Sequence, residues 1–264
     1  MDLALNETPL KLELIPSPVE ITVAHTPQQL GRSAAAFGAE RIRKAIKEKG
    51  HASVFFSTGA SQFDTLRFLT KEPGINWKKV TGFHVDEYIG ITQSHPSSLG
   101  RFIRQRLVEK TYIQTFHFLN SAADPIEECQ RLSKVIRKHT IDVGFIGIGN
   151  CGRLAFNDPP ADFESTTPFK IAELNREMRL QQLGGGWFHT FKEVPKYAYT
   201  MSIQEILRAR CLVCSAPHAR KAKAVKKALK GPITPELPAS ILRTHDDMHL
   251  FLDHASACKI QVQS

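Results

Sequence analysis

The sequence predicts an α/β fold, a Rossmann-like three-layer sandwich around a mostly parallel central sheet, and three observations predict it. Short apolar runs alternate with amphipathic stretches along the chain, which is the order that a parallel sheet covered by helices requires. The 264 residues, 42% of them hydrophobic, suffice to bury one large core. Small and polar residues follow several of the apolar runs, at the strand ends where open α/β folds bind ligands. A single domain over residues 1–264 is expected, with an N-terminal arm at 1–18 and a C-terminal tail at 256–264.

Taken in order, the first element is a short strand at 19–23. A helix then starts at Thr26-Pro27-Gln28-Gln29, which offers an N-cap, proline at the first helical position and a glutamine three residues on; Gly50 closes it after the basic residues Lys47 and Lys49. Further strands are expected at 53–56, 80–85, 116–119, 141–148, 197–201 and 212–213. Helical patterns fall between them at 62–69, 98–110, 125–139 and 219–229.

Composition restricts the function. No stretch approaches the roughly 20 apolar residues of a membrane span, and Asp2, Glu7, Lys11 and Glu13 stand where a signal peptide needs an apolar run. A cytoplasmic protein with no membrane partner is expected. The five cysteines, Cys129, Cys151, Cys211, Cys214 and Cys258, are odd in number and scattered, as suits a reducing compartment. Cys211 and Cys214 form a CxxC inside a strand-like run, where residues three apart point to opposite faces. Two buried structural cysteines are expected there, and no metal site.

The net charge of +9 favours anionic partners. Its densest run, Arg220, Lys221, Lys223, Lys226, Lys227 and Lys230, holds no aromatic residue for base stacking and reads as a solvated helix face. With no recognition motif beside it, a nucleic-acid partner is not expected.

Three strand ends carry candidate chemistry. The turn Ser57-Thr58-Gly59-Ala60-Ser61 can present backbone N–H groups and hydroxyls to an anion, or be an ordinary tight turn. Asp86 and Glu87 end the next strand; a carboxylate there can move a proton on a carbon beside a carbonyl, or serve as a cap or ion pair. The loop after 141–148 gathers a thiol, a guanidinium and a carboxylate, Cys151, Arg153 and Asp158, among glycines that permit close approach.

The segment Gly147-Ile148-Gly149-Asn150-Cys151-Gly152-Arg153-Leu154-Ala155-Phe156-Asn157-Asp158-Pro159 resembles the signature loop of the glucosamine-6-phosphate deaminase/isomerase family, within the 6-phosphogluconolactonase-like superfamily. Three further segments resemble that family in order: Phe83-His84-Val85-Asp86-Glu87-Tyr88, His95-Pro96-Ser97-Ser98 and Val194-Pro195-Lys196-Tyr197-Ala198. With the Thr58-Gly59 turn, the resemblance spans roughly residues 20 to 255. It implies a small-molecule sugar-phosphate partner, proton transfer between C1 and C2 of an opened aminosugar phosphate, release of ammonia, and no metal or organic cofactor. Assembly into a homo-oligomer stays open.

By the same resemblance Asp86 is the base, Asp158 matches a catalytic glutamate, and Thr58, Gly59, Ala60, Ser61 and Lys221 bind the phosphate. Three departures stand out. The ring-opening histidine is Arg153, whose guanidinium stays protonated. The acid that orients it is Cys151. No cation stands at 184–188 for the second phosphate contact, with Arg179 the nearest substitute. His84, placed on the strand face of Asp86, is a candidate proton shuttle. Beside the enzyme reading stand a catalytically impaired sugar-phosphate-binding protein and a 6-phosphogluconolactonase-like hydrolase.

Overall fold

The computed structural model describes residues 19–260, so the expected arm at 1–18 and the last four residues of the expected tail lie outside the described residues. Its strands are β1 (Val19–Ala24), β2 (Ala52–Phe56), β3 (Val80–His84), β4 (Asp86–Tyr88), β5 (Thr115–His117), β6 (Val143–Gly147), β7 (Phe169–Glu173), β8 (Tyr197–Met201), β9 (Leu212–Ala216) and β10 (Met248–Asp253). The helices are α1 (Pro27–Lys49), α2 (Phe63–Leu69), α3 (Leu99–Ile103), α4 (Glu109–Thr111), α5 (Pro125–Ile136), α6 (Arg176–Gly184), α7 (Ile203–Leu207), α8 (Ala222–Lys230) and α9 (His254–Ala257).

Seven strands form one parallel sheet in the order β1-β10-β9-β6-β2-β3-β5. Helices cover both faces, so every residue of β2 and β9 is buried, which explains their continuous apolar runs. One face packs Val54, Phe56, Phe145 and Val213 against α1 and α2; the other packs Phe55, Ile146 and Cys214 against α5 and α8. Cys211 belongs to the first cluster and Cys214 to the second, as strand alternation requires. Each fully buried aromatic side chain contributes roughly 2–3 kcal/mol through removal from water. Truncating the fully buried Phe145 to alanine would cost about 3–5 kcal/mol.

The first helix forms as its residues dictate. Thr26 accepts the Gln29 N–H at 3.2 Å while the Gln29 side chain accepts the Thr26 N–H at 3.2 Å, and Gly50 ends the helix at φ +82°.

Several elements differ from expectation, among them β7, α6, α7 and β10, for which no strand or helix was expected. The strand expected at 80–85 ends at His84, and the chain then leaves the sheet. Asp86–Tyr88 pairs with β8 in a second, antiparallel sheet of order β4-β8-β7. The strand at 197–201 therefore belongs to that sheet and not to the central one. Residues 98–110 form α3, a π-helical turn at Arg104–Val108 and α4, and α9 at His254–Ala257, capped by Asp253, runs into the start of the tail expected at 256–264.

Candidate active site

The carboxyl ends of β2, β6 and β9 meet the start of β4 around a cavity of about 500 Å³. Its first wall is the turn after β2. The Ser57 N–H donates to Phe145 O at 2.9 Å, and Gly59 follows at φ +91°, a conformation that L side chains strain to adopt. A 3₁₀ turn, Ala60–Gln62, leads into α2, and the buried Gln62 donates Nε2 to Ile146 O at 2.6 Å, fixing the turn to β6.

Asp86 opens β4 and is 6% exposed. Thr58 Oγ1 donates to its Oδ1 at 3.1 Å. Burial, above all, pushes the Asp86 pKa up to about 7, with the Thr58 bond and the Arg153 charge pulling the other way. The adjacent Glu87 has a different task. It accepts the N–H groups of Tyr88 (2.9 Å), Leu99 (3.0 Å) and Gly100 (2.8 Å) and the Ser98 hydroxyl (2.7 Å), and so anchors the start of α3. Of two neighbouring carboxylates, one is saturated and structural and the other faces the cavity.

The loop after β6 folds back on itself through Gly149 N–H to Arg153 O at 2.9 Å and Gly152 N–H to Gly149 O at 3.0 Å. The missing side chain at Gly149 makes room for Arg153, since a Cβ there would stand 2.5 Å from Arg153 Cγ. The guanidinium lies against α6, donating from Nη1 to Met178 Sδ and to Gln181 Oε1 (3.2 Å), with its carbon 5.7 Å from the Phe156 ring centroid. Asp158 Oδ1 is 3.9 Å from Arg153 Nη1, and neither carboxylate oxygen of Asp158 accepts a hydrogen bond. Burial raises the Asp158 pKa, opposed by Arg153.

The last wall follows β9. His218 holds φ +78° while its N–H is shared between the two carboxylate oxygens of Asp253, each at 3.1 Å, and a 3₁₀ turn, Ala219–Lys221, carries Lys221 inward. Lys221 is 9% exposed, and burial followed by the charges of Arg153 and Arg220 lowers its pKa to about 8. The later basic residues Lys223, Lys226, Lys227 and Lys230 are exposed, as a solvated helix face should be.

Thr58, Gly59, Ala60, Ser61, Asp86, Arg153 and Lys221 all line this one cavity. Three candidates do not. Cys151 is exposed outside it, and Asp158 stands behind Arg153. His84 is fully buried near Phe118 with neither ring nitrogen hydrogen-bonded, and burial drops its pKa to about 3. Because the chain leaves the central sheet after His84, that residue and Asp86 share no strand face, and His84 is not carried forward as a shuttle. Arg179 is also tied up elsewhere, donating Nη2 to Val194 O at 2.8 Å and Phe191 O at 2.9 Å.

The cavity adds residues that sequence reasoning missed: Tyr88, whose hydroxyl donates to Gln182 Oε1 at 2.8 Å, with Gln181, Trp187 and Arg220. No motif marks the glutamines or the tryptophan. Arg220 stands in the basic run read as a solvated face, though its place beside Lys221 is a usable signal.

A possible metal-ligand set lies elsewhere. Cys211, Asp247 and His249 bring one ligand atom each within 4.8 Å of one another. Within this set His249 Nε2 is 2.7 Å from Asp247 Oδ1, and Arg41 stands 3.5 Å from the same oxygen.

Comparison with known proteins agrees with this geometry. A family model described as glucosamine-6-phosphate isomerases/6-phosphogluconolactonase matches residues 25–155. A glucosamine-6-phosphate deaminase of Streptococcus suis (strain 05ZYH33) is 32% identical over 228 residues, covering 84% of this chain and 95% of that protein. One from Listeria monocytogenes serovar 1/2a is 30% identical over 220 residues, covering 83% and 92%. The solved structure of a monomeric glucosamine-6-phosphate deaminase superposes with a TM-score of 0.82 at 29% identity, over 91% of this chain and 99% of that one. A 6-phosphogluconolactonase from Thermotoga maritima shares the fold, with a TM-score of 0.75 at 14% identity over 89% and 99%.

Proposed function

This chain belongs to the glucosamine-6-phosphate isomerase/6-phosphogluconolactonase family, and from that premise we propose that it is an isomerase/deaminase of an aminosugar phosphate. The observation that carries the reading is the convergence of Asp86, the Thr58–Ser61 turn and Lys221 on one cavity. An anion cradle and a cation hold the phosphate at one side, and a carboxylate faces the carbons at the other.

In this reading Asp86 removes the C2 proton of the opened aldose, the electron pair left on C2 forms a C1–C2 double bond, and the C1 carbonyl π pair moves to O1, which takes up a proton from solvent. The same carboxyl returns the proton to C1. With a 2-amino group the result is a C2 imine, which water hydrolyses to the ketose and ammonia. A pKa of about 7 suits a group that must both accept and give back a proton near neutrality. Thr58 fixes the orientation of that carboxylate through its 3.1 Å bond. The five free thiols suit a reducing cytoplasm.

One observation favours a second reading, a sugar-phosphate-binding protein with weakened turnover: Arg153 stands where ring opening needs a group that gives and takes a proton. Measuring C2 proton exchange with solvent and ammonia release from glucosamine 6-phosphate decides between them. Exchange with slow ammonia release is the expected result. Binding without any exchange would leave the second reading, and no binding would end both.

A further inference from the structure

We infer that this cavity takes its sugar phosphate in the acyclic form and grips the phosphate with three cations, Arg153, Arg220 and Lys221, so that Arg153 is a binding residue. The inference rests on the sugar-phosphate reading above and names the form of ligand that the site accepts.

The first support is the proton inventory of the walls. Among the described residues, the titratable side chains that line the cavity are Asp86, Tyr88, Arg153, Arg220 and Lys221, with no imidazole and no thiol. Opening a pyranose needs one group to take the anomeric hydroxyl proton and one to protonate the ring oxygen. Asp86 is committed to the C1/C2 transfer. Tyr88 has its hydroxyl bonded to Gln182 at 2.8 Å, and burial raises its pKa further out of range. A guanidinium has no proton to exchange near neutrality.

Charge is the second support. Among the described residues, three cations line the cavity; one carboxylate, Asp86, lines it with them and a second, Asp158, stands 3.9 Å behind Arg153, so a surplus of 3 − 2 = 1 positive charge remains even with both ionised. An anionic phosphate supplies the counter-charge that this surplus calls for. Arg153 and Arg220 are also the neighbouring charges that disfavour the protonated form of Lys221, so an anion bound beside Lys221 offsets the charge of both.

The third support is that Arg153 is built in. Its side chain is 14% exposed, crosses the bare backbone of Gly149, and is braced by Met178 and Gln181 of α6. A guanidinium held this way presents its remaining N–H groups in fixed directions, the geometry that binds phosphate oxygens best.

Calorimetric titration with glucitol 6-phosphate, ring-locked 1,5-anhydroglucitol 6-phosphate and unphosphorylated glucitol tests the inference on the wild type and on Arg153→Met, Arg153→Lys and Arg220→Met. The acyclic phosphate should bind at least about tenfold more tightly than the ring-locked one, and each methionine variant should weaken it by about tenfold. Arg153→Lys should keep part of that affinity, and the methionine variants should show a shallower salt dependence. Melting curves confirm that each variant is folded. Equal or tighter binding of the ring-locked phosphate overturns the inference while leaving the sugar-phosphate reading intact, as does unchanged affinity in Arg153→Met. Failure of every phosphorylated ligand to bind the wild type overturns both.

Discussion

The two ends of the central sheet treat charge in opposite ways. At the amino end, Asp142 meets Lys49 at 2.5 Å and accepts the Ser53 N–H at 2.9 Å, while Asp247 meets His249 and Arg41. Charges there are matched one against another. At the carboxyl end, Asp86 has one bond, from Thr58, and shares a cavity with Arg153 and Lys221. Burying polar groups without partners costs stability, so a site that keeps them is shaped for a ligand that supplies them. The amino end stabilises the fold and the carboxyl end gives up stability for binding and chemistry.

The largest effect that tests this contrast is at Asp86. Asp86→Asn should lower C2 proton exchange by at least ~100-fold while leaving ligand binding measurable, and exchange at the wild-type rate would remove the residue from its role. The same variant should melt higher than the wild type at pH 8. The sign follows from a folded pKa raised to about 7: the carboxyl's contribution to stability is fully present below its unfolded pKa and is lost as pH rises through about 7, whereas asparagine has nothing to ionise. The gain should vanish by pH 4.

Next in size is Lys221→Ala, which should weaken sugar-phosphate binding by about 10- to 100-fold, the loss of a charge-assisted contact. Unchanged affinity by calorimetry would move the phosphate elsewhere. Arg153→His combined with Cys151→Asp should raise ammonia release from glucosamine 6-phosphate by roughly tenfold by providing a titrating imidazole and an acid to orient it. Family-like turnover by the unmodified chain would show that another group opens the ring.

A smaller effect is expected in the pH profile. Asp86 must be ionised and Lys221 protonated in the free protein, so kcat/KM should rise through about pH 7 and fall through about pH 8. Lys221→Arg should extend the alkaline limb. A flat profile from pH 6 to 9 would break the assignment of both groups. The smallest functional effect belongs to the other end of the sheet. Lys49→Met leaves Asp142 buried with its remaining N–H bond and should cost about 2 kcal/mol in stability, with sugar-phosphate affinity unchanged.

The sequence by itself determined the alternation of elements, the start and stop of α1, the opposite-facing buried cysteines of the CxxC, and the strand ends that carry Thr58–Ser61, Asp86 and Arg153. These are local properties, set by periodicity, capping residues and small-residue turns. Only the tertiary structure decided that β4 leaves the central sheet, which separates Asp86 from His84, because pairing of residues 86–88 with β8 outcompetes continuation of β3. It also decided that β7 and β10 are strands, that Glu87 is saturated while Asp86 is not, and that Arg153 is braced by α6 beside Lys221. A side chain's partners come from segments tens of residues away, and its ionisation depends on how deeply those segments bury it; neither is encoded in any single stretch of the chain.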